Sequence, residues 1–399
     1  MRAIEPAFAI ALLLPGAAQA QAIPFDEAER LVLARAGEAQ AAQAAIEGAE
    51  AAARQAGSLP NPNLSLSSEN FGGSGAARSF DAAELTASLQ QPLLTGGRRS
   101  ARRGAAAQAV ALAEADAGRT ARTLRAELVR RYAAAALSTE RLRLAEQRQN
   151  LVARLATDAA RRLAAGDIAE VDARRFEVEL ARAGATVSAA QADAAANSRA
   201  LALLLGLDRA TAEPSWLEHL TEPPAWAPAR ADAPIWAARE AAARADVRVQ
   251  RSESAPTLSV TFGVRQLQEV PATTAIAGVS IGVPLWNRNR GQIARAEAEA
   301  RRTAFLNAAA ARDAAQAQAL ARARLEGELS RLATLRTDAR PAAERALALA
   351  QKGYAAGALP YRDLADTIVT LYDVEGQSLA SLGAVAEARA ALLLLEGDR

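Results

Sequence analysis

Cysteine is absent from the 399-residue sequence, histidine occurs once, as His219, and aromatic residues make up only 4% of the chain. Without cysteine the chain forms no disulfide and no thiolate metal site. The sequence also lacks a glycine-rich phosphate loop and a pair of carboxylates in a compact pocket. We therefore expect no enzymatic activity, no cofactor and no metal site, and we interpret His219 as an ordinary surface or packing residue.

Long apolar runs are scarce as well. The N-terminus has a basic start, a short apolar stretch at 7–16 and small residues at Ala18 and Ala20, which predicts a secretory signal peptide over residues 1–22. Beyond it, we find no stretch of the roughly 20 apolar residues that a spanning helix needs. If this exported protein enters a membrane, we expect it to do so with strands.

Alanine is abundant and accounts for most of the 51% of residues that are hydrophobic. It is the best helix former and allows helices to approach closely, so the composition predicts long, thin helices. The 47 basic and 45 acidic residues are interleaved, which indicates solvated helix faces and no nucleic-acid partner. We predict helices at 26–57, 98–163, 167–205, 235–252, 290–355 and 361–395.

Four segments alternate between apolar and polar or small residues, at 63–71, 84–93, 257–266 and 277–285. Each is about ten residues long, as a tilted lipid-facing strand requires. The same pattern would suit half-buried hairpins of a soluble sheet, and this alternative stays open at the level of sequence. The strands form two hairpins, because short turn-like segments join the first to the second and the third to the fourth.

The chain also repeats itself. "PNLSLS" corresponds to "PTLSVT" 194 residues later, since 256 − 62 = 194, and the motifs around Pro92 and Gly166 recur at similar offsets. Each repeat is predicted to contain a helix, a β-hairpin, a long helix, a tight turn and a return helix. We predict a first repeat at 23–204 (hairpin 61–92, turn near Gly166), a connector rich in proline and tryptophan at 205–234, and a second repeat at 235–399 (hairpin 256–285, turn near Gly357).

Four strands are too few for a membrane barrel, since the smallest such barrels use eight. Identical copies must therefore complete it. Two copies would give eight strands, whose interior is filled by side chains, whereas three give twelve strands and leave a lumen. At the membrane rim the wall must change from strands to helices. We predict that Pro92 and Pro284 end the strand ladder there and that Gly97 and Gly291 supply flexible backbone for the turn.

Together these features resemble the TolC-type outer-membrane efflux proteins, in which a trimeric twelve-stranded transmembrane β-barrel is continued by a long periplasmic α-helical barrel. "NPNLSLSSENFGG" and "GVSIGVPLWNRNRGQIARAEAE" are similar to the CzcC-like branch, which serves heavy-metal and cation efflux. The resemblance implies an α+β outer-membrane protein with an internal twofold repeat. It also implies a homotrimer in outer-membrane lipid that works with a periplasmic adaptor (membrane fusion protein) and an inner-membrane pump of the resistance-nodulation-division type.

The resemblance further implies a periplasmic gate and an adaptor-docking tip. The gate residues are Asp172, Tyr354, Asp363 and Asp366, and the tip residues are Gly166, Ile168, Gly357 and Leu359.

Asp363 and Asp366 are three residues apart and share a helix face, so threefold symmetry would stack them as two carboxylate rings that favour cations. Two solvated acids beside Arg362 are the alternative. Leu359 stands where the family's best-studied members carry a latch arginine, so the usual lock cannot form, and Arg362 is the candidate replacement.

Other functions fit parts of the sequence. A channel for drug efflux or type I protein secretion would share the same fold. A periplasmic adaptor has one helical hairpin, whereas this chain has two, each preceded by a β-hairpin. A nucleic-acid-binding coiled coil is suggested only by arginine-rich stretches such as 96–104, and the interleaved acids argue against it.

Overall fold

The computed structural model describes residues 22–75, 78, 80–222, 230–270 and 272–396. The predicted signal peptide up to residue 21 and residues 223–229 of the predicted connector lie outside the described residues. The helices are α1 (Phe25–Arg35), α2 (Gly37–Ala56), α3 (Arg98–Ala165), α4 (Glu170–Leu205), α5 (Trp216–His219), α6 (Ala233–Ser252), α7 (Arg290–Thr334), α8 (Arg340–Ala355) and α9 (Tyr361–Leu395). The strands are β1 (Ala22–Ile23), β2 (Asn63–Glu69), β3 (Glu84–Leu93), β4 (Thr211–Ala212), β5 (Thr257–Leu267) and β6 (Ala272–Gly282).

Two compact units can be distinguished. The helical unit contains residues 22–36, 127–222 and 324–390. The sheet unit contains residues 37–126, 230–323 and 391–396.

The sheet unit holds a four-stranded antiparallel sheet in the order β2-β3-β5-β6. Leu64, Leu89, Phe262 and Ala277 form one continuous cross-strand row. Leu64 is 71% exposed and Phe262 is 61% exposed, so the sheet unit's own helices do not cover this apolar face. A sheet half-buried in a soluble protein would have this row packed, and that alternative does not fit the structure.

The other face of the sheet is polar. Ser67, Thr86, Arg265 and Thr274 form a cross-strand row, and Arg265 Nη1 lies 2.7 Å from the Glu84 carboxylate. Arg265 Nε also donates a hydrogen bond to Thr86 Oγ1 at 3.1 Å. These contacts join β3 to β5 and so tie the first hairpin to the second.

The helical unit is built around buried side chains from α3, α4, α8 and α9. Its core cluster consists of Ala159, Phe176, Leu347, Ala350, Tyr354, Leu364 and Ile368. Elsewhere in this unit β1 pairs with β4, and the Tyr132 hydroxyl donates a 2.6 Å hydrogen bond to the Ile23 carbonyl. Phe25, Trp216 and Tyr132 pack ring against ring around that contact.

Three features differ from the helices expected from sequence. The helix expected at 290–355 is interrupted by a π-helical segment, Leu335–Ala339, because Pro341 begins the next helix and cannot donate a backbone hydrogen bond. The helix expected at 26–57 breaks at Ala36, whose backbone is extended. Finally, α9 is long and apolar enough to cross a membrane by length and composition, although 44% of its most apolar window is buried within the protein. We interpret α9 as a core helix of the helical unit.

Candidate functional site

The first tight turn ends α3 at Gly166, which has a left-handed φ of 81°. The Gly166 amide bonds the Leu163 carbonyl at 3.0 Å, and the Asp167 amide bonds the Arg162 carbonyl at 2.8 Å. This pair of bonds defines a Schellman motif, in which glycine is favoured because a β-carbon is strained at positive φ. Gly166 therefore lies at the turn that the sequence indicates.

The second tight turn has the same construction at Gly357, where φ is 71°. The Gly357 amide bonds the Tyr354 carbonyl at 3.0 Å, and the Ala358 amide bonds the Gly353 carbonyl at 2.9 Å. Both glycines are exposed, and we call these two segments the tip turns. The chain thus caps α3 and α8 with matching geometry.

Ile168 and Leu359 follow the two glycines, and both are half-buried against the core cluster. The Leu359 side chain packs closely against Gly353. A β-carbon added at Gly353 would lie 2.6 Å from Leu359 Cδ1, so this packing leaves no room for a side chain there. Leu359 therefore packs against Gly353 and the core cluster.

Tyr354 lies in the core cluster and is only 5% exposed. Its ring meets Phe176 edge to face, with ring centroids 5.8 Å apart, and Phe176 meets Tyr361 in the same way at 4.4 Å. Burial raises the pKa of the Tyr354 hydroxyl above its usual value, against a lowering by the Arg162 charge. The hydroxyl has no hydrogen-bond partner in the described part of the chain.

Arg162 is the cation that contacts Tyr354. Its Nη1 donates a 3.0 Å hydrogen bond to the Tyr354 carbonyl, and its guanidinium carbon lies 4.9 Å from the centre of the Tyr354 ring. The contact joins α3 to α8. Sequence reasoning missed Arg162, and its position one turn before the Gly166 turn is the only signal that could have indicated it.

The acids of the expected gate lie on α4 and α9. Asp172 pairs with Arg175 of its own helix at 3.1 Å. Asp363 and Asp366 are both exposed. An Asp366 carboxylate oxygen lies 3.9 Å from Arg362 Nε, and such an exposed ion pair contributes little to stability. Arg362 thus pairs with Asp366, whereas Arg162 makes the contact with Tyr354.

The first strand-to-helix transition, in the sheet unit, corrects one expectation. Pro92 lies inside β3 opposite Ser259, and the β3–β5 ladder continues for one more residue to Leu93. Pro92 therefore does not end this ladder. Gly97 has a φ of 76°, and Gly96, which the sequence reading passed over, has a φ of 64°.

Gly96 is the more constrained of the two glycines. A β-carbon at Gly96 would lie 2.1 Å from the Ala255 β-carbon, whereas the nearest atom to one at Gly97 is 3.6 Å away. Beside it, the buried Arg98 donates hydrogen bonds to the carbonyls of Glu253 and Ala255, at 3.1 and 2.7 Å. These carbonyls follow the C-terminal end of α6, where the helix dipole favours the positive charge of Arg98.

The second transition corrects another expectation. Pro284 follows the end of β6, as expected, but Gly291 lies in the first turn of α7 and does not have a positive φ. Asn289 takes the left-handed conformation instead, with a φ of 56°. Its side-chain amide donates a 2.8 Å hydrogen bond to the Gln250 carbonyl, which offsets the strain of a non-glycine residue there.

His219 is exposed at the end of α5. In the described residues no group of three or more histidine, aspartate and glutamate side chains could hold a metal ion.

The chain has the sequence of an outer-membrane efflux channel. The family model described as outer membrane efflux protein matches residues 30–207 and 236–398, and the chain belongs to this family. The predicted fold class and outer-membrane location are thereby confirmed.

Two curated relatives indicate the branch. The chain is 28% identical to the cobalt-zinc-cadmium resistance protein CzcC of Cupriavidus metallidurans, over 95% of this chain and 93% of that protein. It is 30% identical to the nickel-cobalt-cadmium resistance protein NccC of Alcaligenes xylosoxydans xylosoxydans, over 72% of this chain and 68% of that protein. The similarity to the CzcC-like branch is thus confirmed.

Solved structures support the same fold. The outer membrane protein VceC from Vibrio cholerae is similar with a TM-score of 0.74 and 20% identity, over 94% of this chain and 96% of VceC. CusC, a transmembrane channel, is similar with a TM-score of 0.76 and 18% identity, over 94% of this chain and 92% of CusC.

Proposed function

We propose that three copies of this chain form the outer-membrane channel of a tripartite efflux system, which gives heavy-metal cations a passive exit from the cell. An inner-membrane pump of the resistance-nodulation-division type and a periplasmic adaptor deliver the cations. Similarity to CzcC along nearly the whole of both chains is the observation that carries the choice of cargo.

The open sheet supports the trimer. Within the described residues β2 and β6 each pair on one side only, and unpaired backbone groups in lipid cost several kcal/mol each. Neighbouring copies satisfy both edges if β6 of one copy pairs with β2 of the next. Three copies then give twelve strands, with the polar face around a water-filled lumen and the apolar face in lipid.

The tip turns and the acids near them support the proposed gate. Asp363 and Asp366 lie exposed on one face of α9, where threefold symmetry would form two carboxylate rings that favour cations. Gly166 and Gly357 are exposed, and with their neighbours Ile168 and Leu359 they form the proposed adaptor-docking surface. In this proposal the chain consists of two repeats, 23–204 and 235–399, joined by the 205–234 connector.

The test is metal tolerance. The chain would be produced with the pump and adaptor of a cobalt-zinc-cadmium system in a metal-sensitive Gram-negative strain that lacks its own efflux channels. We expect tolerance to cobalt, zinc and cadmium to rise, and no rise when the pump is inactive. In a parallel strain the chain would be produced with the pump and adaptor of a drug-efflux system. If the protein reaches the outer membrane as a trimer in both strains but raises only drug tolerance, the drug-efflux alternative replaces the metal cargo.

A further inference from the structure

The two strand-to-helix transitions expose different side chains. In the second transition Trp286 is 94% exposed and Leu285 is also exposed. At the corresponding positions of the first transition, Leu93 and Leu94 are half-buried. Trp286 thus follows the strand whose Val279 and Ile281 are exposed, 67% and 61%, on the apolar face of the sheet.

The arginines of the two transitions differ in the same way. Arg98 and Arg99 bond backbone carbonyls, and Arg102 bonds the Glu253 carboxylate at 2.8 Å. Arg288 and Arg290 are exposed, and neither guanidinium group makes a hydrogen bond or ion pair with the part of the chain that the structure describes. The arginines of the first transition therefore bond groups of the protein itself. The two guanidinium groups of the second transition are available to bind a ligand.

The segment that carries these side chains is held in place. Asn289 lies between the two arginines, and its side chain bonds the Gln250 carbonyl at the C-terminal end of α6. The backbone amide of Asn289 also donates a 3.1 Å hydrogen bond to the side-chain oxygen of Asn287. Trp286 and the two arginines are thus fixed at the helix end of the sheet.

We infer that Trp286, Arg288 and Arg290 form a binding site for anionic phospholipids of the periplasmic leaflet of the outer membrane. This inference rests on the proposed function, which places the apolar sheet face in that membrane. Tryptophan is favoured at the boundary between hydrocarbon and headgroups. A guanidinium matches a phosphate with two parallel hydrogen bonds, and two of them together favour a headgroup with net negative charge.

The experiment uses proteoliposomes of phosphatidylethanolamine and phosphatidylglycerol, in which either lipid carries brominated chains. Bromine quenches tryptophan fluorescence on contact, and the difference between wild type and Trp286→Phe isolates the Trp286 signal. We expect phosphatidylglycerol to bind beside Trp286 with about a thirtyfold preference, as two basic residues near an anionic surface together provide. The Arg288→Gln/Arg290→Gln variant should lose this preference. The matched control Arg301→Gln/Arg312→Gln, which removes two exposed arginines farther along α7, should keep it.

Conductance measured on the same proteoliposomes separates the outcomes. A conducting wild-type channel whose Trp286 signal is not quenched by either lipid overturns the inference, because Trp286 then does not contact lipid chains. A conducting Arg288→Gln/Arg290→Gln variant with unchanged lipid preference overturns it as well. If the wild-type protein neither inserts nor conducts, the proposed function itself fails.

Discussion

The contact between Arg162 and Tyr354 makes the sharpest prediction about the gate. Replacing Arg162 by methionine keeps most of the apolar stem but removes the hydrogen bond to the Tyr354 carbonyl and the charge above the Tyr354 ring. Because this contact joins α3 to α8, we expect its loss to favour separation of the two helices. In a channel that closes by packing these helices together, the variant should be open for more of the time.

The magnitude follows from the two contacts. The Tyr354 carbonyl keeps its 3.0 Å bond from the Gly357 amide, so no buried acceptor is orphaned and the lost hydrogen bond costs only about 1 kcal/mol. The cation–π contact of a half-buried arginine adds about 0.5–1 kcal/mol. If both contacts exist only in the closed state, their sum of about 1.5–2 kcal/mol shifts the closed–open equilibrium by roughly ten- to thirtyfold.

The assay is single-channel recording in planar bilayers, with the fraction of open time as the readout. Arg161→Met is the matched control, because Arg161 is the neighbouring arginine, its side chain is 75% exposed, and among the described residues it pairs only with Asp158, at 3.3 Å. We expect the control to behave as wild type, since such exposed pairs contribute little. An Arg162→Met channel with wild-type open time, correctly assembled, would refute the reasoning.

Further predictions concern the first transition, the tyrosines and the acid rings. Gly96→Ala should destabilise the trimer by about 3 kcal/mol, because alanine is strained at this positive φ and its β-carbon would overlap Ala255. The variant trimer should therefore dissociate at a lower temperature on heated gels. Gly291→Ala is the control and should leave this temperature unchanged, because a β-carbon there meets open space. Burial raises the pKa of all four tyrosines above the usual value, so their stabilising effect is complete below pH 10 and is lost as the pH rises through the raised pKa values. Absorbance at 295 nm should show the tyrosines ionising at higher pH in the native protein than in the unfolded protein, and coincident titrations would contradict the burial. Asp363→Asn with Asp366→Asn should lower the cation preference measured by reversal potential, and an unchanged preference would exclude the carboxylate rings.

The strands were predictable because a lipid-facing strand shows its environment directly in the sequence. Alternation in β2 and β3 places Leu64 and Leu89 on one face, and the structure pairs these residues in register. The pairing of β3 with β5 was not predictable in the same way. It joins residues about 170 positions apart, such as Leu89 and Phe262, and no local pattern encodes that register.

The turn residues show where local patterns mislead. Glycine is the usual residue at positive φ, so Gly291 was the natural choice for the second transition. The structure assigns that conformation to Asn289, which tolerates it and whose side chain can bond a neighbouring backbone carbonyl. Gly96 and Gly97 both have positive φ, and only the tertiary contact with Ala255 shows that Gly96 has no room for a side chain.

The arginines were the least predictable part of the site, for a related reason. In a helix rich in alanine and arginine, Arg98 and Arg162 look the same as arginines that face solvent. Arg162 bonds the Tyr354 carbonyl, 192 residues away, and Arg98 bonds the carbonyls of Glu253 and Ala255, 155 and 157 residues away, besides pairing with the Glu253 carboxylate at 3.2 Å. A carbonyl partner leaves no mark in a sequence. Arg362 was the candidate because it lies one turn from Leu359, whereas in the structure Arg162 contacts Tyr354.

The choice of a carbonyl as the acceptor has a physical consequence for the tip. A lock made by arginine and aspartate weakens when the carboxylate is protonated, whereas the backbone carbonyl of Tyr354, which Arg162 contacts, does not titrate. The apolar packing of Leu359 on Gly353 contains no titratable group either. The Arg162–Tyr354 contact between α3 and α8 therefore does not depend on the protonation of a carboxylate.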